Sequence, residues 1–139
     1  PGQTRNGKNE MLPYLVPQVD ADGNDIAGIR VPDVSVPVAT TTGWNFRAES
    51  IGNSTSEVYN NMGSYIPFAT TKADRDARKD PRPSIAERYR DRDEYLAKLR
   101  VAGEALVKGR YLLQEDIDNV LKRGQAQWQF LMGNTASSK

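Results

Sequence analysis

The spacing of apolar residues changes partway along the chain. Up to about residue 70 they come in short clusters or alternate with polar residues, whereas beyond it they recur every three or four positions. Met11, Leu12, Tyr14, Leu15 and Val16 form a first cluster that Pro13 and Pro17 keep from becoming a regular helix. Val19–Ile29 predicts a hairpin: Asp22-Gly23-Asn24 supplies the turn, with Val19 on one arm and Ile26 and Ile29 on the other. From Pro32 to Arg47, Val34, Val36 and Val38 alternate with Ser35 and Pro37. This reads as extended chain with one valine face, and Pro37 confines it to an edge or isolated strand. Ala48–Asn61, rich in Ser, Asn and Thr, reads as a surface loop. Ser64–Ala69 is a short aromatic patch expected to be buried or packed on a neighbour.

After Thr70 three capping pairs appear: Thr71 with Asp74, Ser84 with Glu87, and Asp91 with Glu94. The first two open one or two helical turns each. The third opens a helix over about Arg92–Lys108 that Gly109 is placed to stop, with Leu96, Leu99, Ala102, Gly103 and Leu106 on the inner stripe. Lys98, Arg100, Glu104 and Lys108 face water. A last helix, about Glu115–Met132, carries Ile117, Val120, Leu121, Trp128, Leu131 and Met132 on its apolar side. The pattern predicts an α+β chain with a short β-hairpin and an extended irregular half over 1–70, and a helical half over 71–139. The extended segments 11–18 and 31–47 have few local partners for their backbone groups, so they are expected to wrap a larger body.

Composition narrows the chemistry more than any motif does. The 139 residues include no histidine and no cysteine, so the usual general base, thiolate metal sites and a complete Ser-His-Asp triad within this chain are excluded. Ser54 and Ser64 lie near glycines, but neither makes G-x-S-x-G, and both read as ordinary loop hydroxyls. Asp20, Asp22, Asn24 and Asp25 invite a calcium-loop reading. However, Gly23 is fourth from Asp20 where such a loop needs its sixth, and Val31 stands where the bidentate glutamate belongs. A plain turn is expected, with no metal and no cofactor. The net charge is only +1, with −3 on residues 1–70 and +4 on 71–139. Between Arg75 and Arg100 the basic residues, with Tyr89 and Tyr95 as stacking platforms, suggest RNA binding, but aspartates and glutamates interleave in nearly equal number. A solvated ion-paired face is favoured over nucleic acid. No run approaches the roughly 20 apolar residues that span a bilayer. Starting at Pro1, the chain reads as a processed product or a piece of something longer.

GIRVPDVSVPVATTTGWNFR (Gly28–Arg47), GSYIPFATTKADRDARKDPRPSIAERY (Gly63–Tyr89) and YLLQEDID (Tyr111–Asp118) together resemble the C-terminal part of a family of α/β-hydrolase-domain proteins, over about Pro13–Trp128. That resemblance implies a serine hydrolase acting on a small ester or amide, whose nucleophile, acid and histidine all lie outside this chain, so that no catalytic residue falls here. The partner implied is the remainder of the hydrolase, on the same or a separate chain, and an oligomer is compatible with it. The Gly-Trp-Asn corner is the candidate contact with substrate: Trp44 as an apolar wall, and Thr42 or Asn45 as hydrogen-bonding groups. The plainer reading makes Trp44 core and Asn45 a turn cap. A non-enzymatic structural or protein-interaction subunit is the alternative for the whole chain.

Overall fold

A computed structural model describes residues 15–46, 58–59 and 61–133. They form an α+β fold of five helices and two small antiparallel sheets, each of two strands. The Pro32–Arg47 stretch departs from the alternating pattern at its start, because Pro32–Ser35 is a single helical turn, α1. Pro32 occupies a first helical position, where its fixed φ suits a helix and its missing N–H costs nothing. The Val31 carbonyl accepts from the Val34 and Ser35 amides at 2.9 and 3.0 Å, and Arg30 Nη2 donates to the Val34 carbonyl at 3.0 Å. Only after Pro37 does the chain extend. β1 (Ala39–Thr42) follows, with β2 (Asn45–Phe46) behind it.

β1 pairs with β4 (Ser64–Pro67) in the register Ala39 to Pro67 and Thr42 to Ser64, while β2 pairs with β3 (Val58–Tyr59). Most of the expected Ala48–Asn61 loop lies outside the described residues, as does the start of the first apolar cluster; Leu15 and Val16 of that cluster are exposed. The Val19–Ile29 hairpin is reduced to its turn. Its ladder is one bridge between Val19 and Asp25, and Ile26 and Ile29 are exposed. Gly23, at φ +78°, supplies the left-handed corner, and a Cβ there would stand 2.9 Å from Thr40 Cγ2.

The helical half starts where its caps predict. Thr71 Oγ1 accepts from the Asp74 amide ahead of α2 (Lys72–Arg78). The Ser84 amide and hydroxyl both donate to the Glu87 carboxylate at α3 (Ile85–Arg88), and Asp91 accepts from the Glu94 amide at α4 (Arg92–Lys108). Gly109 ends α4 as expected, as its C-cap. It keeps right-handed helical angles, and Arg110, at φ 63°, turns the chain. A 3-10 turn over Gln114–Asp116 leads into α5 (Ile117–Gly133).

α4 and α5 pack side by side. Gly124 faces α4 across this seam, where a Cβ would come within 2.3 Å of Leu99 Cδ1. The buried stripe of α4 is Tyr95, Leu99 and Gly103, one position round from the leucine stripe, which leaves Leu96 and Leu106 half-buried. On α5 Ile117, Val120 and Leu131 are buried as expected. The core draws on both halves: Val38 and Phe68 from the strand region join Ile85, Tyr89, Tyr95, Leu99 and Leu131, with Trp128 stacked on Tyr95 at 5.4 Å. Each such side chain contributes about 1.5–3 kcal/mol when fully buried. With Tyr89 5% and Tyr95 0% exposed, neither ring is available to stack on a base.

Candidate functional site

The Thr42–Asn45 corner closes on itself. Thr42 Oγ1 donates to the Trp44 carbonyl and accepts from the Ser64 amide at 3.2 Å, while Ser64 Oγ donates to the same Trp44 carbonyl at 3.1 Å. Ser64 is thus a structural hydroxyl. Asn45 Oδ1 accepts from the Phe46 amide at 2.8 Å. The Trp44 ring meets Phe46 edge-on at 5.4 Å, and its Nε1 is buried without an acceptor among the described residues. The structure therefore brings Thr42, Trp44 and Ser64 together, and turns the Asn45 carbonyl oxygen onto the neighbouring backbone. Trp44 is half-buried, between the wall and core readings.

A second cluster joins acids of the calcium-loop reading to arginines of the expected solvated face, a pairing the sequence pattern does not show, and ties the Asp20–Arg30 turn to the body. Asp20 Oδ1 accepts from the amides of Asp22 and Asn24, and its Oδ2 accepts from Arg30 Nη2 at 2.6 Å. Burial pushes the Asp20 carboxyl up, but Arg30 and the two amides outweigh it and hold it below the ordinary carboxylate value. Arg88 grips both oxygens of Asp22, one at 2.8 Å, and donates from Nε to the Pro83 carbonyl at 2.9 Å. Arg82 grips Asp80 in the same forked way, at 2.9 and 2.6 Å, and reaches Thr40 Oγ1 at 2.7 Å and the Ile66 carbonyl at 3.2 Å. The hydrogen bonds from Arg82 hold the Asp80 carboxyl down at about 2. Both guanidinium groups lie over the Phe68 ring, at 5.0 Å for Arg82 and 4.3 Å for Arg88. Asp20 and Asp22, the leading acids of the calcium-loop reading, are therefore held by arginines. No group of three or more His, Cys, Asp or Glu side chains among the described residues is placed to hold a metal ion.

Between this clamp and α4 runs an open groove of about 840 Å³. Val36, Pro37 and Tyr89 form one side, with the Tyr89 hydroxyl donating to the Pro37 carbonyl at 2.9 Å. Burial raises that hydroxyl to about 12, so it stays protonated at any physiological pH. Ala97, Val101, Ala102 and Ala105 of α4 form the other side, and the charged pairs Asp20–Arg30, Asp22–Arg88 and Glu94–Lys98 gather at its polar end.

A family model described as an alpha/beta hydrolase domain matches residues 2–122. The chain belongs to that family. Comparison with curated proteins and with solved structures finds no match. Within this hydrolase-family chain no serine pairs with an imidazole, since the sequence holds no histidine, and the one carboxylate that Ser84 meets, Glu87, is its helix-capping partner. Among the described residues no helix is long and apolar enough to cross a membrane. The forked Arg82–Asp80 pair had a local signal in Asp80-Pro81-Arg82. Arg88 and Asp22, 66 residues apart, had none.

Proposed function

We propose that this chain is the C-terminal part of an α/β-hydrolase-type serine hydrolase acting on ester or amide bonds, with the catalytic serine, acid and histidine carried outside these 139 residues. The observation that supports it is the combination of membership in a hydrolase family with a sequence that has no histidine. Proton transfer to and from a serine needs an adjacent base, and in this architecture that base is an imidazole. The chain then contributes packing and a wall of the substrate cleft. Trp44, backed by Phe46, is the apolar face of that wall, and Thr42 and Asn45 are the polar groups beside it.

The test is covalent labelling by a fluorophosphonate probe, together with hydrolysis of p-nitrophenyl acetate. Both are measured on the 139-residue chain alone and on material that joins it to a polypeptide bearing a G-x-S-x-G serine and a histidine. The joined material should label and turn over, and the chain alone should do neither. Labelling of the chain alone, or of neither preparation, would overturn the reading. A structural or protein-interaction subunit is the second reading, favoured by large apolar side chains that face solvent, among them Leu15, Met62 and Tyr111. It predicts a companion chain that co-purifies without a hydrolase site.

A further inference from the structure

The groove between the arginine clamp and α4 has a chemical polarity of its own. At its charged end the carboxylate oxygens are already engaged. Asp20 Oδ1 accepts from two backbone amides and Oδ2 from Arg30, both oxygens of Asp22 are held by Arg88, and Glu94 accepts from Lys98 and from the Arg90 amide. The cations keep donors in reserve. Arg30 commits Nη2 to Asp20 and to the Val34 carbonyl, which leaves the two hydrogens of Nη1 without a partner among the described residues. Lys98 donates to Glu94 at 2.9 Å and to the Arg88 carbonyl at 3.4 Å, which leaves one ammonium hydrogen. The groove end therefore offers hydrogen-bond donors and few free acceptors, and suits a ligand headed by acceptor oxygens.

From Lys98 the groove continues along one face of α4 through Val101, Ala102 and Ala105, which stand three, four and seven positions further on. The rise over those residues is about 10 Å. Alanine at 97, 102 and 105 keeps this trough open, opposite Val36, Pro37 and the Tyr89 ring. Its volume of about 840 Å³ falls in the range of small-molecule sites.

We infer that this groove binds a short acyl group, with its carbonyl or carboxylate oxygens on Arg30 and Lys98 and its alkyl chain along Val101, Ala102 and Ala105. The identification of the acyl group as that of an ester substrate or its acid product rests on the hydrolase reading; the binding itself does not, because it needs no chemistry. It places a ligand contact on the α4 side of the chain, separate from the Trp44 corner.

Nuclear magnetic resonance titration of the 139-residue chain tests this with three probes that share a six-carbon tail: sodium hexanoate, methyl hexanoate and hexylammonium chloride. Hexanoate, the methyl ester or both should shift the amide resonances of Arg30 and of Lys98–Ala105, and hexylammonium should not. Shifts from the ester alone assign the groove to a neutral substrate, and shifts from hexanoate alone assign it to the acid. Lys98→Met keeps most of the stem and removes the donor, and should weaken binding about tenfold. Ala105→Leu fills the trough at an exposed helical position where leucine is well tolerated, and should weaken whichever of hexanoate and its ester the parent binds. The inference is overturned if neither hexanoate nor its ester shifts these resonances, if hexylammonium binds as well as they do, or if both variants bind like the parent. A chain that binds hexanoate while the joined material fails to label with the fluorophosphonate keeps the groove and loses the hydrolase.

Discussion

Asn24 shows how much of this fold hangs on single side chains. It is fully buried, and its amide spans the outer edge of β1, with Nδ2 donating to the Ala39 carbonyl at 3.3 Å and Oδ1 accepting from the Thr41 amide at 2.8 Å and the Thr41 hydroxyl at 3.1 Å. One side chain thus does the work of a third strand at that point and satisfies backbone groups that water does not reach. Asn24→Ala should cost about 1–3 kcal/mol in urea unfolding, because a buried donor and acceptor lose their partner together. Asn24→Asp should cost at least as much, because its carboxylate still accepts from Thr41 but turns an oxygen on the Ala39 carbonyl and buries a charge without a cation; a loss smaller than that of the alanine variant would remove the Ala39 bond from the cap. Gly124 is the counterpart in the helical half. Alanine there gains about 0.5–1 kcal/mol of helix propensity, yet its Cβ would lie 2.3 Å from Leu99 Cδ1. Overpacking of about 1–3 kcal/mol should outweigh the gain. An unfolding midpoint of Gly124→Ala at or above that of the parent would mean that α4 and α5 separate without cost.

At the scale of elements, the parts of the chain with local signals came out as the sequence predicts. Thr71, Ser84 and Asp91 each cap the helix that their spacing announces, because a cap is settled within four residues. α1 is the contrary case. Val34, Val36 and Val38 satisfy a period of two, but the turn is decided by Pro32 at its start and by Arg30 on the Val34 carbonyl, contacts that no alternation pattern registers. The candidate corner was legible to a similar degree: Thr42 and Trp44 do meet, through the Thr42 hydroxyl on the Trp44 carbonyl, whereas the amide that also holds Thr42 is that of Ser64, reached across the β1–β4 pair. The arginine clamp was hidden because its partners are far apart in the chain, and an interleaved run of arginines and aspartates looks like a solvated face whether or not its members reach inward. Its electrostatics give a pH dependence. The folded value of Asp80, about 2, lies below its ordinary 3.8, so the pair with Arg82 stabilises the fold fully above about pH 4 and loses that contribution as pH falls toward 2. Asp80→Asn should lower stability at pH 7 by about 1 kcal/mol, with solvent screening allowed for, and should flatten the loss between pH 4 and pH 2 when unfolding is followed by circular dichroism. A parent and variant that lose stability in parallel over that interval would remove Asp80 from the acid response.

For the molecule as a whole, the change of period near residue 70 suggests two halves, but the packing does not respect that boundary. Val38 and Phe68, 3% and 2% exposed, complete the cluster formed by Ile85, Tyr89, Tyr95, Leu99 and Leu131. Polar contacts cross as well: Asp22 to Arg88, Thr40 to Arg82, and the Pro37 carbonyl to the Tyr89 hydroxyl. A piece consisting of residues 71–139 would expose the face of Tyr89 and Ile85 that Phe68 and Val38 cover, and would leave Arg88 without its carboxylate. Each apolar loss is worth about 1.5–3 kcal/mol, against a whole-domain stability of about 5–15 kcal/mol. We therefore propose that the chain is one cooperative unit rather than a helical domain with an appended strap. Trp128, stacked on Tyr95 at the centre of that cluster, is the natural reporter. In urea the parent, carrying Trp44→Phe so that Trp128 alone emits, should show one transition, coincident by fluorescence and by far-ultraviolet circular dichroism, and residues 71–139 alone should show a broad, non-cooperative loss of both signals. Adding residues 1–70 in trans should restore the transition in part, since the cross-half contacts need no covalent link. If the 71–139 piece unfolds cooperatively with the parent's midpoint, the two halves are separate folding units with separate cores.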